Sequence, residues 1–327
     1  MSSDVGHLLK MPDLVMDKIL GDVDYLSILS VRKVCRSLRD YINKNPPSPN
    51  LFSIEVMGDS QSIISGFECP VIRRQCMTVH KPTRDGQTVV HWTGDDEKVQ
   101  LVDDPNHWDI FSRDFGTFWG HQKEKLTRFS VYFPTLPQPE FSEAVRQVIR
   151  NQCFDIQILT IVAYHTDDIL DILSHVHGEE LVIRGEPKRV KMEEVMETEG
   201  WKKARSVEIQ FRIIVPVERF FRFQKCQVRM YKLSFKDVEE VRKKFLLDPH
   251  LEDFTFYYEK DSKVRAGLIR EFGRPRVNAR IGGSGSDVWY FRTEDPTQVV
   301  LIIKRRWSVG FRRRAVSDVP DNAVILG

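Results

Sequence analysis

The chain has 327 residues, of which 41% are apolar, 29% charged and 10% aromatic; a length of this order predicts two or three domains with a sizeable core and excludes global disorder. Its 49 Lys and Arg nearly balance 47 Asp and Glu, so the whole protein is not built for a polyanionic partner, yet 14 basic against 7 acidic side chains fall within residues 260–327. No run reaches the ~20 apolar residues of a membrane span, and the start, with Asp4 and His7 ahead of a short apolar pair, predicts no secretory signal.

Residues 11–45 predict three short amphipathic helices. Pro12 suits a first helical turn, where a missing N–H costs nothing, and Asp13 favours the positive end of the helix dipole. Leu14, Val15, Ile19 and Leu20 follow near helical spacing as far as Gly21. Asp24 is placed to cap a second helix carrying Leu26, Ile28 and Leu29. The third has the cleanest period: Val31, Val34, Cys35, Leu38, Tyr41 and Ile42 share one stripe and Arg32, Lys33, Arg36, Arg39 and Asp40 the other, until Pro46-Pro47. A lone unit below about 60 residues has a marginal core. Its surplus apolar side chains must therefore meet either the rest of the chain, as a helical cap, or another protein.

Met11-Pro12, Leu14, Ile19-Leu20, Leu26, Leu29, Val31-Arg32, Val34-Cys35 and the Leu38–Ile42 end resemble the F-box, in which a Leu-Pro start leads to a Leu-x-x-Val-Cys third helix. Met11 stands where Leu is usual, and Leu38 where Trp is common. The resemblance implies docking on the Skp-family adaptor of cullin-RING ubiquitin ligases. The adaptor-binding residues would be Met11, Pro12, Leu14, Val15, Ile19, Leu20, Leu26, Leu29, Val31, Val34, Cys35 and Leu38.

From Leu51 to Trp92 the period falls to two. Phe52–Val56, Ser62–Ile64 and Thr88–Trp92 predict strands of a small antiparallel sheet, with Asp85-Gly86 as a hairpin turn. Residues 105–119 switch to helix, with Trp108, Phe111, Phe115, Phe118 and Trp119 on one face as core. A signature of apolar-x-x-apolar-x-apolar then recurs, centred on residues 129, 159, 181, 207, 228 and 254. Its interval of ~25 lies in the leucine-rich-repeat range. Helical patterns fill the gaps, through Ala144–Ile149, Ile169–Leu173, Val190–Met196, Val217–Phe223 and a helix capped by Ser234 that carries Val238, Val241, Phe245 and Leu246. Strand and helix pairs of this kind bury their apolar faces only by stacking, as a curved parallel layer or, alternatively, as a doubly wound sheet. The stretch 126–259, including VRMYKLSFKDVEEVRKKFLLDPHLEDFTFYYE, resembles the FTH domain that follows the F-box in a large nematode family. That resemblance implies a region that binds target proteins for ubiquitin transfer.

Convergent chemistry is not evident. His165, Asp167 and Asp168 fit the start of a helix, with Thr166 and the aspartates in capping roles. Cys69, Cys76 and His80 lack the spacing and the fourth ligand of a zinc site. Gly282–Ser286 lacks the Lys-Ser/Thr ending of a phosphate loop and reads as a surface loop. The five cysteines, Cys35, Cys69, Cys76, Cys153 and Cys226, read as reduced and mostly buried thiols. Toward the C-terminus, Val288–Arg292 and Val299–Ile303 predict paired strands about Asp295-Pro296, flanked by Lys304–Arg306 and by Arg312, Arg313 and Arg314. Those last three arginines are either a charge-protected strand edge or a possible target-binding cluster for acidic or phosphorylated groups.

The reading is of a mixed α+β / α/β chain. It comprises a flexible start (1–10), a three-helix F-box (11–47), a β-rich module with an aromatic helix (51–125), FTH-like strand–helix repeats forming a leucine-rich-repeat-like curved sheet (126–259) and C-terminal strands with a basic cluster (260–327). The expected function is that of a non-catalytic, cytoplasmic or nuclear substrate-recognition subunit of an SCF-type ubiquitin ligase. It would use no cofactor, metal or membrane, and its partners would be a Skp-family adaptor and an unknown target protein. A non-degradative interaction adaptor is the alternative, with nucleic-acid binding through the basic end less favoured.

Overall fold

The computed structural model describes residues 11–23, 27–28, 31–32, 34–45, 51–59, 62–69, 74–83, 87–93, 96–102, 106–122, 125–150, 155–187, 190–259, 263–277, 286–321 and 323–327. Asp24, Leu26, Leu29, Lys33, Pro46-Pro47, Asp85-Gly86, Cys153 and residues 282–285 lie outside the described residues. The chain divides into two compact units, Met1–Val162 with Asp171–His177, and Ala163–Leu170 with Gly178–Gly327.

In the first unit, α1 (Asp13–Gly21) and α2 (Arg36–Lys44) precede a meander of β1 (Ser53–Gly58), β2 (Ile63–Cys69), β3 (Arg74–Pro82), β4 (Gln87–Thr93) and β5 (Asp96–Val102). All four of its pairings are antiparallel. On its other edge β1 pairs in parallel with β6 (Leu126–Tyr132), placing Ile54 opposite Phe129 and Val56 opposite Val131, and β6 pairs in parallel with β7 (Asp155–Val162). The meander and the first repeat strands therefore share one sheet.

Over this sheet lies α3 (His107–His121), started by Asn106, whose side-chain oxygen accepts from the backbone N–H groups of Trp108 and Asp109. Its aromatic stripe is core: Phe111, Phe115 and Trp119 are buried and step through ring contacts of 5.2 and 5.6 Å, ending on Phe129 of β6 at 4.6 Å. Buried Gln122 closes the helix by accepting from the Leu51 N–H and donating to the Leu51 carbonyl. In α4 (Pro139–Ile149), Phe141, Val145, Val148 and Ile149 are buried, while Arg146 is paired with Asp171 and Glu143.

The second unit continues the alternation. α5 (Thr166–Leu173) leads to β8 (His177–Arg184), then α6 (Met192–Glu197), α7 (Glu199–Lys203), β9 (Ser206–Ile213), β10 (Lys225–Met230), α8 (Phe235–Leu247), β11 (Asp253–Tyr258) and α9 (Val264–Phe272). Strands β8, β9, β10 and β11 are parallel neighbours. The expected helix at Val217–Phe223 is only a 3₁₀ turn, Val217–Phe220, yet it buries Val217 and Phe220 as a helix would. α8 carries the full capping box: the Asp237 N–H donates to Ser234 Oγ, and the Ser234 N–H donates to the Asp237 carboxylate.

One register differs from the sequence expectation. Val228 was the expected partner of Val207 and Phe254, but Cys226 faces both, and Val228 faces Ile209 and Phe256. β10 reads Lys-Cys-Gln-Val-Arg-Met, strictly alternating, so a two-residue slip keeps every apolar side chain on the helix side.

After β12 (Arg276–Val277), the expected hairpin forms from β13 (Asp287–Arg292) and β14 (Gln298–Arg305). A third strand, β15 (Ser308–Ala315), lies antiparallel to both β14 and β11 and joins the hairpin to the parallel strands, and β16 (Ile325–Leu326) pairs with β13. One face of this hairpin packs on the closing segment through Val288, Tyr290, Val299, Leu301 and Ile303 against Val319, Ala323 and Ile325. Burial on both faces explains the unbroken apolar run of β14.

The turn after β8 requires glycine. Gly185 has φ 106°, and a Cβ there would stand 2.0 Å from the Ala163 carbonyl oxygen. Gly185→Ala is expected to cost at least ~1–3 kcal/mol from backbone strain alone. Thermal unfolding followed by circular dichroism should show this as a fall of several degrees in the midpoint.

Candidate functional site

The N-terminal helices make their own core. Met16, Leu20, Ile28, Leu38 and Ile42 are 1–3% exposed and pack together with Val23, Val31, Cys35 and Tyr41 around them. Every member of this cluster comes from the helical segment, so it is not merely a cap on the following sheet. The Tyr41 hydroxyl stands 2.8 Å from Asp17 Oδ1 and 3.0 Å from the Asp13 carbonyl, tying α2 to α1. Desolvation, then the hydrogen bond to Asp17 and the nearby acidic charges, push this phenol up to about 12, so it remains a donor at neutral pH.

The helical stripe of the third segment is corrected. α2 starts at Arg36 with Cys35 in extended conformation as its N-cap, while Val31 belongs to the preceding turn, whose Ser27, Ile28 and Val31 are helical. Val34 consequently leaves the apolar stripe and is 59% exposed. Among the expected adaptor-facing residues, Leu20 and Leu38 are sealed inside, Val31 and Cys35 are half-buried, and Leu26 and Leu29 lie outside the described residues. Met11, Pro12, Leu14, Val15, Ile19 and Val34 are at the surface, Leu14 with 82% of its area open. A small helical unit thus satisfies its own core and still displays aliphatic side chains.

Residues 8–48 match the F-box domain family and residues 139–272 the FTH domain family. The chain is an F-box protein with an FTH domain. It is also similar to F-box A protein 224 of Caenorhabditis elegans, 24% identical over 239 residues, covering 70% of this chain and 60% of that protein. The chain therefore spans less than two thirds of the length of the curated relative it matches. No solved structure matches the chain.

Within the second unit the FTH strands present two unlike faces. β10 alternates without exception: Cys226, Val228 and Met230 are buried on the helix side, and Lys225, Gln227 and Arg229 are exposed on the other. The register aligns this face in three rows, Ser206–Lys225–Asp253–Arg312, Glu208–Gln227–Thr255–Gly310 and Arg212–Arg229–Tyr257–Ser308, of which Thr255, Gly310 and Ser308 are buried. Most of its charge is matched internally, by Lys225 with Glu252 at 3.6 Å, Arg312 with Asp253 at 3.0 Å, Arg184 with Glu208 at 4.0 Å, and Arg212 with Glu259.

Two arginines of the basic cluster are engaged within the fold. Besides the Arg312 pairing, Arg313 donates from Nε to the Leu251 carbonyl at 3.2 Å and from a terminal nitrogen to the carbonyls of Asp248, at 2.9 Å, and Phe245. It thereby serves the carbonyl end of α8, where helices leave acceptors unsatisfied. Burial lowers its pKa, with Asp248 and Asp295 opposing that shift. Arg314 alone of the three is exposed. A cavity of about 670 Å³ lies beside Lys225, Glu252, Asp253, Arg313 and Arg314, where Lys225 pairs with Glu252, Asp253 with Arg312, and Arg313 is held by backbone carbonyls.

At the opposite end of the strands lies a cavity of about 460 Å³, lined by Arg229, Tyr257, Tyr258, Glu259 and Trp307. The sequence by itself singled out none of these residues as a site. The available signal was the polar alternation of β10, which marks one face of that strand as solvated.

Among the described residues no group of three or more His, Cys, Asp or Glu could hold a metal, and no helix is long and apolar enough to cross a membrane. Asp167 and Asp168 lie in the first turn of α5. His80 is buried edge-on to Phe111 with ring centroids 5.8 Å apart, and the His107 ring lies tilted against Trp108 at 4.4 Å. Burial, then the charge of His80, lowers the pKa of His107. A histidine held neutral stabilises the fold above its unfolded pKa of ~6.5 and loses that contribution as pH falls through its lower folded pKa. Thermal midpoints measured from about pH 7 down to 5 are expected to fall, and His107→Phe should flatten that slope.

Proposed function

We propose that the protein is a non-catalytic substrate-recognition subunit of an SCF-type cullin-RING ubiquitin ligase. Its F-box docks on a Skp-family adaptor, and its FTH repeats, as a leucine-rich-repeat-like curved layer, hold a target protein. The observation that carries the reading is the aliphatic surface of the F-box: Met11, Leu14, Val15, Ile19 and Val34 are solvent-facing although the described residues of the unit form a core of their own. Exposed aliphatic groups are favourable only when another surface covers them, at ~1.5–3 kcal/mol for each side chain fully buried. The F-box match supports an adaptor of the Skp family as that surface.

The mechanism is tethering. With target and ubiquitin-loaded enzyme bound to one assembly, the effective concentration of target lysines rises into the ~mM range for a short linkage. No bond is made or broken by this chain. The test is co-purification of the full-length protein with a Skp-family adaptor, followed by reconstitution of ubiquitin transfer with cullin and RING subunits. Failure of the adaptor to bind the wild-type chain removes the proposal. Adaptor binding without any modified partner would favour the non-degradative alternative.

A further inference from the structure

The open face of the FTH sheet is charge-matched along most of its length and, among the described residues, unmatched at one end. Arg229 projects from that face beside Tyr257, and among the described residues it takes part in no ion pair. Arg306 is exposed and lies over the Trp307 ring at 5.1 Å. Glu259, the one acid in the lining among the described residues, is already engaged by Arg212. Large apolar side chains collect at the same strand ends: Trp307 is 49% exposed, Tyr231 40% and Tyr257 37%, with Ile214 open beside them, where the Tyr231 N–H donates to the Ile213 carbonyl.

The turn that carries Trp307 is fixed from below. Lys304 is buried, donates from Nζ to the carbonyls of Arg305 and Arg306, and sits 5.3 Å from the Tyr258 ring. The Tyr258 N–H donates to the Trp307 carbonyl at 3.1 Å. The indole is thus displayed on a braced support. Exposed Trp, Tyr and Arg around a cavity are the residue types that dominate protein-binding hot spots, and the ends of parallel strands are where such sheets take ligands.

We propose that this end of the FTH sheet binds an acidic segment of a partner protein. An aromatic or large aliphatic side chain of that segment fills the cavity between Arg229, Tyr257 and Trp307, and carboxylates on either side of it pair with Arg229 and Arg306. A single-stranded nucleic acid fits less well. Two unmatched arginines are a small share of the cationic groove that such a ligand needs. The inference deepens the target-binding reading and rests on it only for the fate of the bound partner.

The test uses the full chain and the fluorescein-labelled peptide Glu-Glu-Phe-Glu-Glu, blocked at both ends, read by fluorescence anisotropy. The controls are the same peptide with Ala at the centre, the same peptide with Lys for every Glu, and an oligouridine. The expected result is saturable binding of the acidic Phe peptide that is at least tenfold tighter than that of either peptide control and weakens as salt screens the carboxylates. Arg229→Glu and Trp307→Ala, both at exposed positions, should each weaken it at least tenfold, while Leu14→Glu in the F-box leaves it unchanged.

Equal binding of the Lys peptide, unaltered affinity in both cavity variants, or tighter binding of oligouridine at the same residues would overturn the proposal. A parallel assay asks whether a reporter protein tagged with the acidic peptide is ubiquitylated in the reconstituted ligase. Peptide bound without transfer sinks the ligase reading and leaves this site standing. Partners modified without any affinity for the peptide sink this site and leave the ligase reading standing.

Discussion

Arg313→Glu is expected to destabilise the FTH-bearing unit strongly, whereas Arg314→Glu leaves its stability nearly unchanged. Arg313 donates to three backbone carbonyls, those of Phe245, Asp248 and Leu251, around the end of α8. Hydrogen bonds from a charged group are worth ~1.5–3 kcal/mol each, and a carboxylate at that place would face oxygen atoms with nothing to accept from. The loss of ~3 kcal/mol or more is a large share of the ~5–15 kcal/mol that holds a domain together. The strain falls on the core beneath, where Phe245 meets Phe254 at 5.1 Å and Phe311 at 5.6 Å. Arg314 is exposed, and a surface change of that kind moves stability by ~0.5 kcal/mol or less. Urea unfolding of the two variants separates the cases. Equal midpoints would show that the arginine run is a solvated edge throughout. The same contrast warns against reversing all three charges as a test of target binding, because loss of fold would imitate loss of capture.

Leu14→Glu is expected to weaken capture by a Skp-family adaptor at least ~30-fold, the ratio equivalent to a hot-spot loss of ~2 kcal/mol. Leu14 contributes almost nothing to the folded chain by itself, being 82% exposed, so the thermal midpoint should not move. Leu38→Ala is the counterpart. Leu38 lies in the F-box core against Met16, Leu20, Ile28 and Ile42, and its truncation should cost ~2–5 kcal/mol of that unit's stability. Binding lost through Leu38 thus comes with melting of α1 and α2, and binding lost through Leu14 does not. Calorimetric titration of adaptor into both variants, with circular dichroism alongside, distinguishes them. Retained affinity in Leu14→Glu would move the docking face elsewhere on the F-box.

The alternating pattern of β10 shows where sequence reasoning reaches its limit. Lys225, Gln227 and Arg229 against Cys226, Val228 and Met230 specify a strand with one wet face, and that is what forms. The pattern is invariant to a slip of two residues, so the pairing of Cys226 with Val207 and Phe254 was open until the neighbouring strands were in place. The aromatic helix was legible for the opposite reason. Phe111, Phe115 and Trp119 are too large to be left wet at one helical face, and the first two stack within 5.2 Å of each other as their spacing requires.

The F-box shows the same division. Helical periodicity and the Met11-Pro12 start identified the segment, but the stripe Val31–Ile42 could not reveal that the backbone is extended at Cys35 and turns Val34 outward. A one-dimensional period assigns each apolar residue to a face; which faces are covered depends on where the chain bends. Local sequence therefore marked the F-box segment, the aromatic helix, the repeat strands, the Ser234 cap and the F-box and FTH likenesses, since each depends on contacts a few residues apart or on a motif. Tertiary structure alone decided that β15 joins the parallel strands, that Arg313 serves α8 from 68 residues beyond Phe245, and that Arg229, Tyr257 and Trp307 line one cavity. Those outcomes rest on pairings between distant segments, and the energy of such a pairing belongs to both partners and is written in neither alone.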